Sequence, residues 1–232
     1  RGYRMSALWW YKLLFMTELL TAEALFTFRL QKRGYFALRA AIAVAVCYAV
    51  AALYPLPTKV SYSGWYASLM FLVLFATTFC ALLFVYKISA VKLLFCGITA
   101  YTVQHLSYEL FALLSNVFSF GGMDMYDSGI LDFSTLNSGT VIAALVYFDL
   151  YVIVYGVSYW IMGKRFNAYA DVDLNVALLL FVAAILLIDI VLNAFTVYIN
   201  AYSKDYELIV CVYNILCCML AFYIQASMLK VK

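Results

Sequence analysis

Apolar residues fall along this chain in seven long blocks separated by short polar links: Ala7 to Phe28, Phe36 to Tyr54, Gly64 to Tyr86, Ala90 to Phe118, Ser138 to Met162, Leu174 to Ile199 and Tyr206 to Leu229. A helix that crosses a bilayer needs about 20 mostly apolar residues, and each block approaches or exceeds that length. The pattern predicts an all-α polytopic bundle of about seven transmembrane helices, forming one membrane domain over 1–232. The second block is the shortest. Pro55 and Pro57 end it, because proline lacks an amide proton and restricts the residue before it. No soluble domain, low-complexity linker or internal repeat interrupts the series.

Composition supports that placement. Of 232 residues 68% are apolar and 12% charged, against roughly 45–50% and about 25% in a soluble domain. A core of this size cannot hide such a surplus, so the first partner expected is membrane lipid. The 15 Lys and Arg outnumber the 12 acids by only three and are dispersed. That excludes the concentrated basic footprint of a nucleic-acid binder.

Cytoplasmic loops carry the excess of Lys and Arg, and here the basic residues divide unevenly. Arg29, Lys32, Arg33, Arg39, Lys87, Lys92, Lys164, Arg165, Lys230 and Lys232 fall on one side. Arg1, Arg4, Lys12, Lys59 and Lys204 fall on the other, where the link between the fourth and fifth blocks holds three acids, Asp124, Asp127 and Asp132. The amino terminus is expected outside and the carboxyl terminus in the cytoplasm. The first block contains Glu18 and Glu23 and ends in aromatics, unlike a cleaved signal peptide; it is expected to be a retained helix. The chain opens on Arg1 rather than Met, and its last block reaches Lys232 as it leaves the apolar region. Such a layout is expected of a segment whose cytoplasmic part follows.

Polar groups inside these blocks must face the bundle interior, since a charge at the bilayer centre costs at least ~2.5–3.5 kcal/mol on insertion scales. In the fourth block Tyr101, Gln104, His105, Tyr108 and Glu109 recur at spacings of three and four, on one helix face. His105 and Glu109 are one turn apart and can pair. The stripe reads either as a clamp that fixes helix packing or as a ligand or proton site. The sixth block carries Asp189, Asn193, Thr196 and Asn200 in a narrow stripe, the seventh Asn214, Cys218 and Gln225. Both are adequately explained as interhelical glue, and the sixth block is the expected facing wall of the fourth. Glu18 and Glu23, five residues apart, point away from each other and cannot form a carboxylate pair. Asp149 in the fifth block makes a fifth embedded acid, so protonation or inward-reaching bases such as Arg29 must neutralise several of the five.

The six cysteines all lie in apolar runs, without the loop spacing of a disulfide framework or the thiol and imidazole pairing of a zinc site. They read as free, buried small hydrophobes, and no metal or cofactor is expected. A rhomboid-type Gly-x-Ser-Gly turn, a His-Glu-x-x-His metalloprotease motif and a phosphate-binding glycine loop are each missing, since one His cannot supply the second and Gly121-Gly122 does not supply the third. No catalytic residue is assigned.

Three strings carry a resemblance. Glu18-Leu19-Leu20-Thr21-Ala22-Glu23-Ala24-Leu25-Phe26 with Phe28-Arg29-Leu30, Leu94 to Tyr108 around Gln104-His105, and Tyr213-Asn214-Ile215-Leu216-Cys217-Cys218-Met219-Leu220-Ala221 together resemble the membrane sensor region of GHKL-type sensor histidine kinases of Gram-positive bacteria. They cover about a quarter of the chain. The layout is similar to quorum-sensing receptor kinases, in which a multi-helix membrane region precedes a cytoplasmic dimerisation helix and an ATP-binding domain. The resemblance implies a multi-pass domain of the bacterial plasma membrane that senses an extracellular or membrane-borne ligand, a peptide among the candidates. It also implies a homodimer formed through the parent kinase. Kinase activity would belong to a longer parent chain, because His105 lies mid-membrane, out of reach of an ATP-bound domain. The alternative from another class is a small transporter or substrate-capture membrane subunit, with the buried acids as its binding site. Against it, the two halves lack a matched pair of Gly- or Pro-broken helices. A membrane assembly or scaffold protein is the third reading.

Overall fold

The computed structural model describes residues 2–54, 64–118, 138–165, 174–198 and 204–229, without the side chains of 2–8, 138–140, 196–198 and 204–207. Among them are seven α-helices and no strand. α1 is Gly2–Thr27, α2 Phe36–Leu53, α3 Gly64–Val85 and α4 Ala90–Phe118. α5, Ser138–Ser158, continues into a π-helical turn at Tyr159–Gly163, and α6, Val176–Tyr198, and α7, Lys204–Met228, complete the series. The helix ends fall close to those read from the hydrophobic blocks because charged or helix-breaking residues punctuate the links.

Five helices are long and apolar enough to cross a membrane: α2, α3, α5 with its π turn, α6 and α7. The other two, α1 and α4, carry most of the buried ionisable groups, namely Lys12, Glu18 and Glu23 on α1 and His105 and Glu109 on α4. Burial explains how they tolerate that load. α4 runs through the middle of the bundle, packed against α1, α3, α5, α6 and α7, while α2 lies against α1 and α3. The outer surface is the inverse of a soluble protein's, with Val152, Ile153, Trp160, Leu180, Ile188 and Leu216 all exposed.

One end of the bundle is tied by backbone as well as packing. The α1–α2 link and the α3–α4 link form a single antiparallel bridge, Lys32 to Tyr86. Arg33 N donates to Val85 O at 3.0 Å and Lys87 N to Gln31 O at 2.8 Å, and Arg33 Nε donates to Tyr86 O at 2.8 Å. Phe28 packs on Tyr159 of the π turn, which brings the end of α5 to the same place. Arg29, Lys32, Arg33, Arg39, Lys87, Lys92, Lys164 and Arg165 therefore gather at one end of the molecule. α5 approaches α1 closely there: a Cβ on Gly163 would lie 2.5 Å from the Tyr159 ring and 3.2 Å from Phe26.

Candidate functional site: two polar networks on the central helix

Spacings of three and four bring the polar residues of α4 to its buried face, but neighbouring helices divide them into two networks. Gln104 belongs to the first. Its Nε2 donates to Glu18 Oε2 of α1 at 2.9 Å, and Tyr151 OH of α5 donates to the same oxygen at 3.1 Å. Tyr147 OH donates to Glu18 Oε1, and Tyr155 OH donates to the Glu18 backbone carbonyl at 3.0 Å. The three phenols stand one turn apart on α5, so one helix edge supplies a ladder of donors to one residue. The Glu18 carboxyl is thereby satisfied without a base. Arg29, expected to reach inward and neutralise such an acid, instead is exposed with its guanidinium over the Phe28 ring. The reason is its place at the polar end of α1, where water is the better partner.

His105, the next residue, belongs to the second network. Its Nε2 lies 3.0 Å from Asp189 Oδ2 of α6 and 3.8 Å from Glu109 Oε1. Asp189 is thus the nearer partner, closer than the Glu109 that sequence spacing pairs with His105. Glu109 Oε1 accepts from Asn193 Nδ2 of α6 at 3.2 Å and from Asn214 Nδ2 of α7 at 3.0 Å. The Tyr101 ring lies 5.9 Å from the imidazole, centroid to centroid, and packs on Phe15 and Phe75 on its other sides. Tyr108 meets Tyr11 of α1 edge to face. Asp189 and Asn193 do face α4, whereas the Thr196 side chain and Asn200 lie outside the described residues.

Cys218 of α7 joins this second network. Its Sγ, His105 Nε2 and a carboxylate oxygen of Asp189 lie within 4.8 Å of one another, all three residues buried. Cys218 is buried and outside any disulfide, as read from the sequence, and the structure adds its company: the thiol and imidazole come from different helices, and no local spacing reports their meeting. Burial is not general among the cysteines, since Cys80 is exposed and Cys217 half-buried, while none of the six is joined in a disulfide.

The remaining embedded groups stand apart. Glu23 is 2% exposed, and neither carboxyl oxygen has a hydrogen-bond partner among the described residues. It lies beside Thr78 of α3 and Gly97 of α4, where a Cβ would sit 3.9 Å from Oε1. Gln225 of α7 is likewise buried with both amide atoms unpartnered among those residues. Lys12 is fully buried and donates to Tyr54 O at 2.9 Å. Asp149, expected inside, is exposed on the outer face of α5 beside Phe148, Val152 and Ile153. That helix turns its tyrosines inward, and position 149 then points out. Pro55, Pro57, Lys59, Gly121, Gly122, Asp124, Asp127, Asp132, Lys230 and Lys232 lie outside the described residues.

Sequence reasoning missed Tyr147, Tyr151 and Tyr155. Their recurrence every four residues in an otherwise aliphatic block was the available signal. Comparison with family models, curated proteins and solved structures finds no match to this chain.

Proposed function

We propose that this chain is the membrane-embedded input domain of a sensor histidine kinase, sensing an extracellular or membrane-borne ligand, a peptide by the resemblance, and signalling to a cytoplasmic kinase in a longer parent chain. All seven helices span, with the amino terminus outside and the basic end of the bundle in the cytoplasm of a bacterial cell. The parent works as a homodimer.

The division of α4 between two buried networks is the observation that supports this reading. Gln104 is bonded towards α1 and α5, His105 and Glu109 towards α6 and α7. A rotation or slide of α4 must exchange hydrogen bonds to carboxylates on both flanks at once, so intermediate positions are costly and two discrete arrangements are favoured. α7 holds Glu109 through Asn214 and leads towards the carboxyl terminus. A ligand that favours one arrangement of α4 would shift α7 with it.

The native reading frame provides the test. Continuation past Lys232 through a helix into an ATP-binding domain, with ligand-dependent autophosphorylation of the full-length protein in nanodiscs, is expected. A stop codon within a few residues of Lys232 would overturn the sensor reading in favour of the small transporter. The unpartnered Glu23 carboxyl, a candidate cation-binding group, suits that alternative.

A further inference from the structure

We propose that His105, Asp189 and Cys218 are the ligands of a single divalent transition-metal ion of the zinc class, bound inside the bundle with its fourth position facing Glu109. The three side chains come from α4, α6 and α7, so one ion would join the central helix to the last two.

The donor atoms lie within 4.8 Å of one another, and the imidazole Nε2 is 3.0 Å from Asp189 Oδ2. Bonds of about 2.0–2.3 Å in a tetrahedral zinc site set ligand atoms roughly 3.4–3.6 Å apart. The His–Asp pair must therefore open by a few tenths of an ångström and the thiol close by at most about one, changes that side-chain torsions can supply. A second observation points the same way. Asp189 is fully buried, yet its Oδ1 has no hydrogen-bond partner among the described residues. The Cys217 thiol also lies beside this carboxyl, but a thiol is a weak donor, and a metal ion is a stronger partner for a buried carboxylate oxygen.

Ligand type selects the ion. Thiolate and imidazole favour zinc and its borderline neighbours, whereas magnesium and calcium require oxygen ligands. Charge favours it as well. Binding breaks the Cys218 S–H bond and the proton leaves to solvent, while the sulfur lone pair forms the S–metal bond. Within the ligand set, one thiolate, one carboxylate and a neutral imidazole cancel the dication, which suits a low-dielectric interior. Glu109 stays held by Asn193 and Asn214 at the open position, and Tyr101 packs on the imidazole and fixes its orientation. This inference rests on the side chains alone and stands whether or not the chain is a sensor.

The test uses protein purified without a polyhistidine tag, stripped with chelator and titrated with zinc or cobalt(II). Elemental analysis should find one ion per chain, and cobalt should give tetrahedral visible bands with a thiolate-to-cobalt charge-transfer band in the near ultraviolet. Cys218→Ser should abolish the charge-transfer band, and His105→Gln and Asp189→Asn should each weaken affinity at least tenfold. Cys80→Ser, on the exposed side of α3, should leave all of it unchanged. Zinc should raise the thermal midpoint of the wild-type protein while magnesium and calcium do not. No retained metal in the wild type, or a cobalt spectrum unaltered by Cys218→Ser, overturns the proposal. Should Cys218→Ser fail to fold, Cys218→Ala serves, and the wild-type stoichiometry and spectrum decide independently.

Discussion

Gln104 and His105 are consecutive residues that serve opposite flanks of one helix: Gln104 Nε2 donates to Glu18 on α1 at 2.9 Å, and His105 Nε2 meets Asp189 on α6 at 3.0 Å. A turn of about 100° per residue separates their directions. That step converts what the spacing presents as one polar stripe into two distinct hydrogen-bonded clusters, tied to different helices.

The two clusters can be tested separately. If the sensor reading holds, His105→Gln and Glu109→Gln in the full-length protein should alter signalling output while the thermal midpoint of the metal-free protein in detergent stays nearly unchanged, since glutamine retains donors and acceptors for Asp189, Asn193 and Asn214. Autophosphorylation across pH 5 to 8 is the measurement for function. A fall in stability of ~1–3 kcal/mol with normal signalling by the surviving folded protein would assign the second network a packing role alone.

Glu18 answers to a different experiment. Glu18→Leu removes the acceptor that Gln104, Tyr147 and Tyr151 share; Tyr147 and Gln104 can turn to the Tyr151 hydroxyl, but a buried donor still left unpaired costs ~1–3 kcal/mol. Tyr147→Phe removes one donor while the carboxyl keeps two, at about 1 kcal/mol. Denaturant or SDS unfolding of the two variants should rank them in that order, with Glu18→Gln the mildest.

Glu23 should respond in the opposite sense. It is buried with no hydrogen-bond partner among the described residues, so Glu23→Met exchanges an unsatisfied carboxyl for an apolar chain of similar length. The unfolding midpoint is expected to rise by the equivalent of ~1–3 kcal/mol. A loss of stability would mean that the carboxyl is bonded after all, by the neighbouring Thr78 hydroxyl or by a group outside the described residues.

These contrasts mark what a single sequence can carry. Helix positions were legible because lipid demands long apolar runs and the links hold Pro, Gly and charge; α2 begins at Phe36 and α4 covers Ala90–Phe118 as the pattern has them. The polar face of α4 was legible from its periodicity. Which helix answers each residue was not, because Asp189 lies 84 residues from His105 and nothing local encodes that meeting. The inward tyrosines of α5 and the outward Asp149 share a cause: in a uniformly apolar block, period alone does not say which face meets lipid. Cys218 was legible as part of a stripe, but its company with an imidazole and a carboxylate depends on three helices meeting.

Topology follows from the tied end of the bundle. The Lys32 to Tyr86 bridge and the Phe28–Tyr159 contact place the basic links together, and the excess of Lys and Arg should hold that end in the cytoplasm. Reporter fusions after Arg33, Lys87 and Lys164 should report cytoplasmic locations. Labelling of the Asp127 loop from the cytoplasmic side alone would reverse the orientation.

Asp149 gives the last test. It stands eleven residues into α5, on the face that carries Phe148, Val152 and Ile153 outward, and would meet lipid near the middle of the span if that helix crosses a bilayer. Acids there cost ~2.5–3.5 kcal/mol on insertion scales, and Asp149 has no role in either network of α4. Asp149→Leu should therefore leave the thermal midpoint in detergent unchanged or raised, and should raise the yield of protein inserted in the membrane. A midpoint lowered by the equivalent of more than about 1 kcal/mol would mean that another protein surface covers this face and bonds the carboxyl. Crosslinking from Val152→Cys in native membranes would then identify that surface as a second copy of the chain or as a different partner.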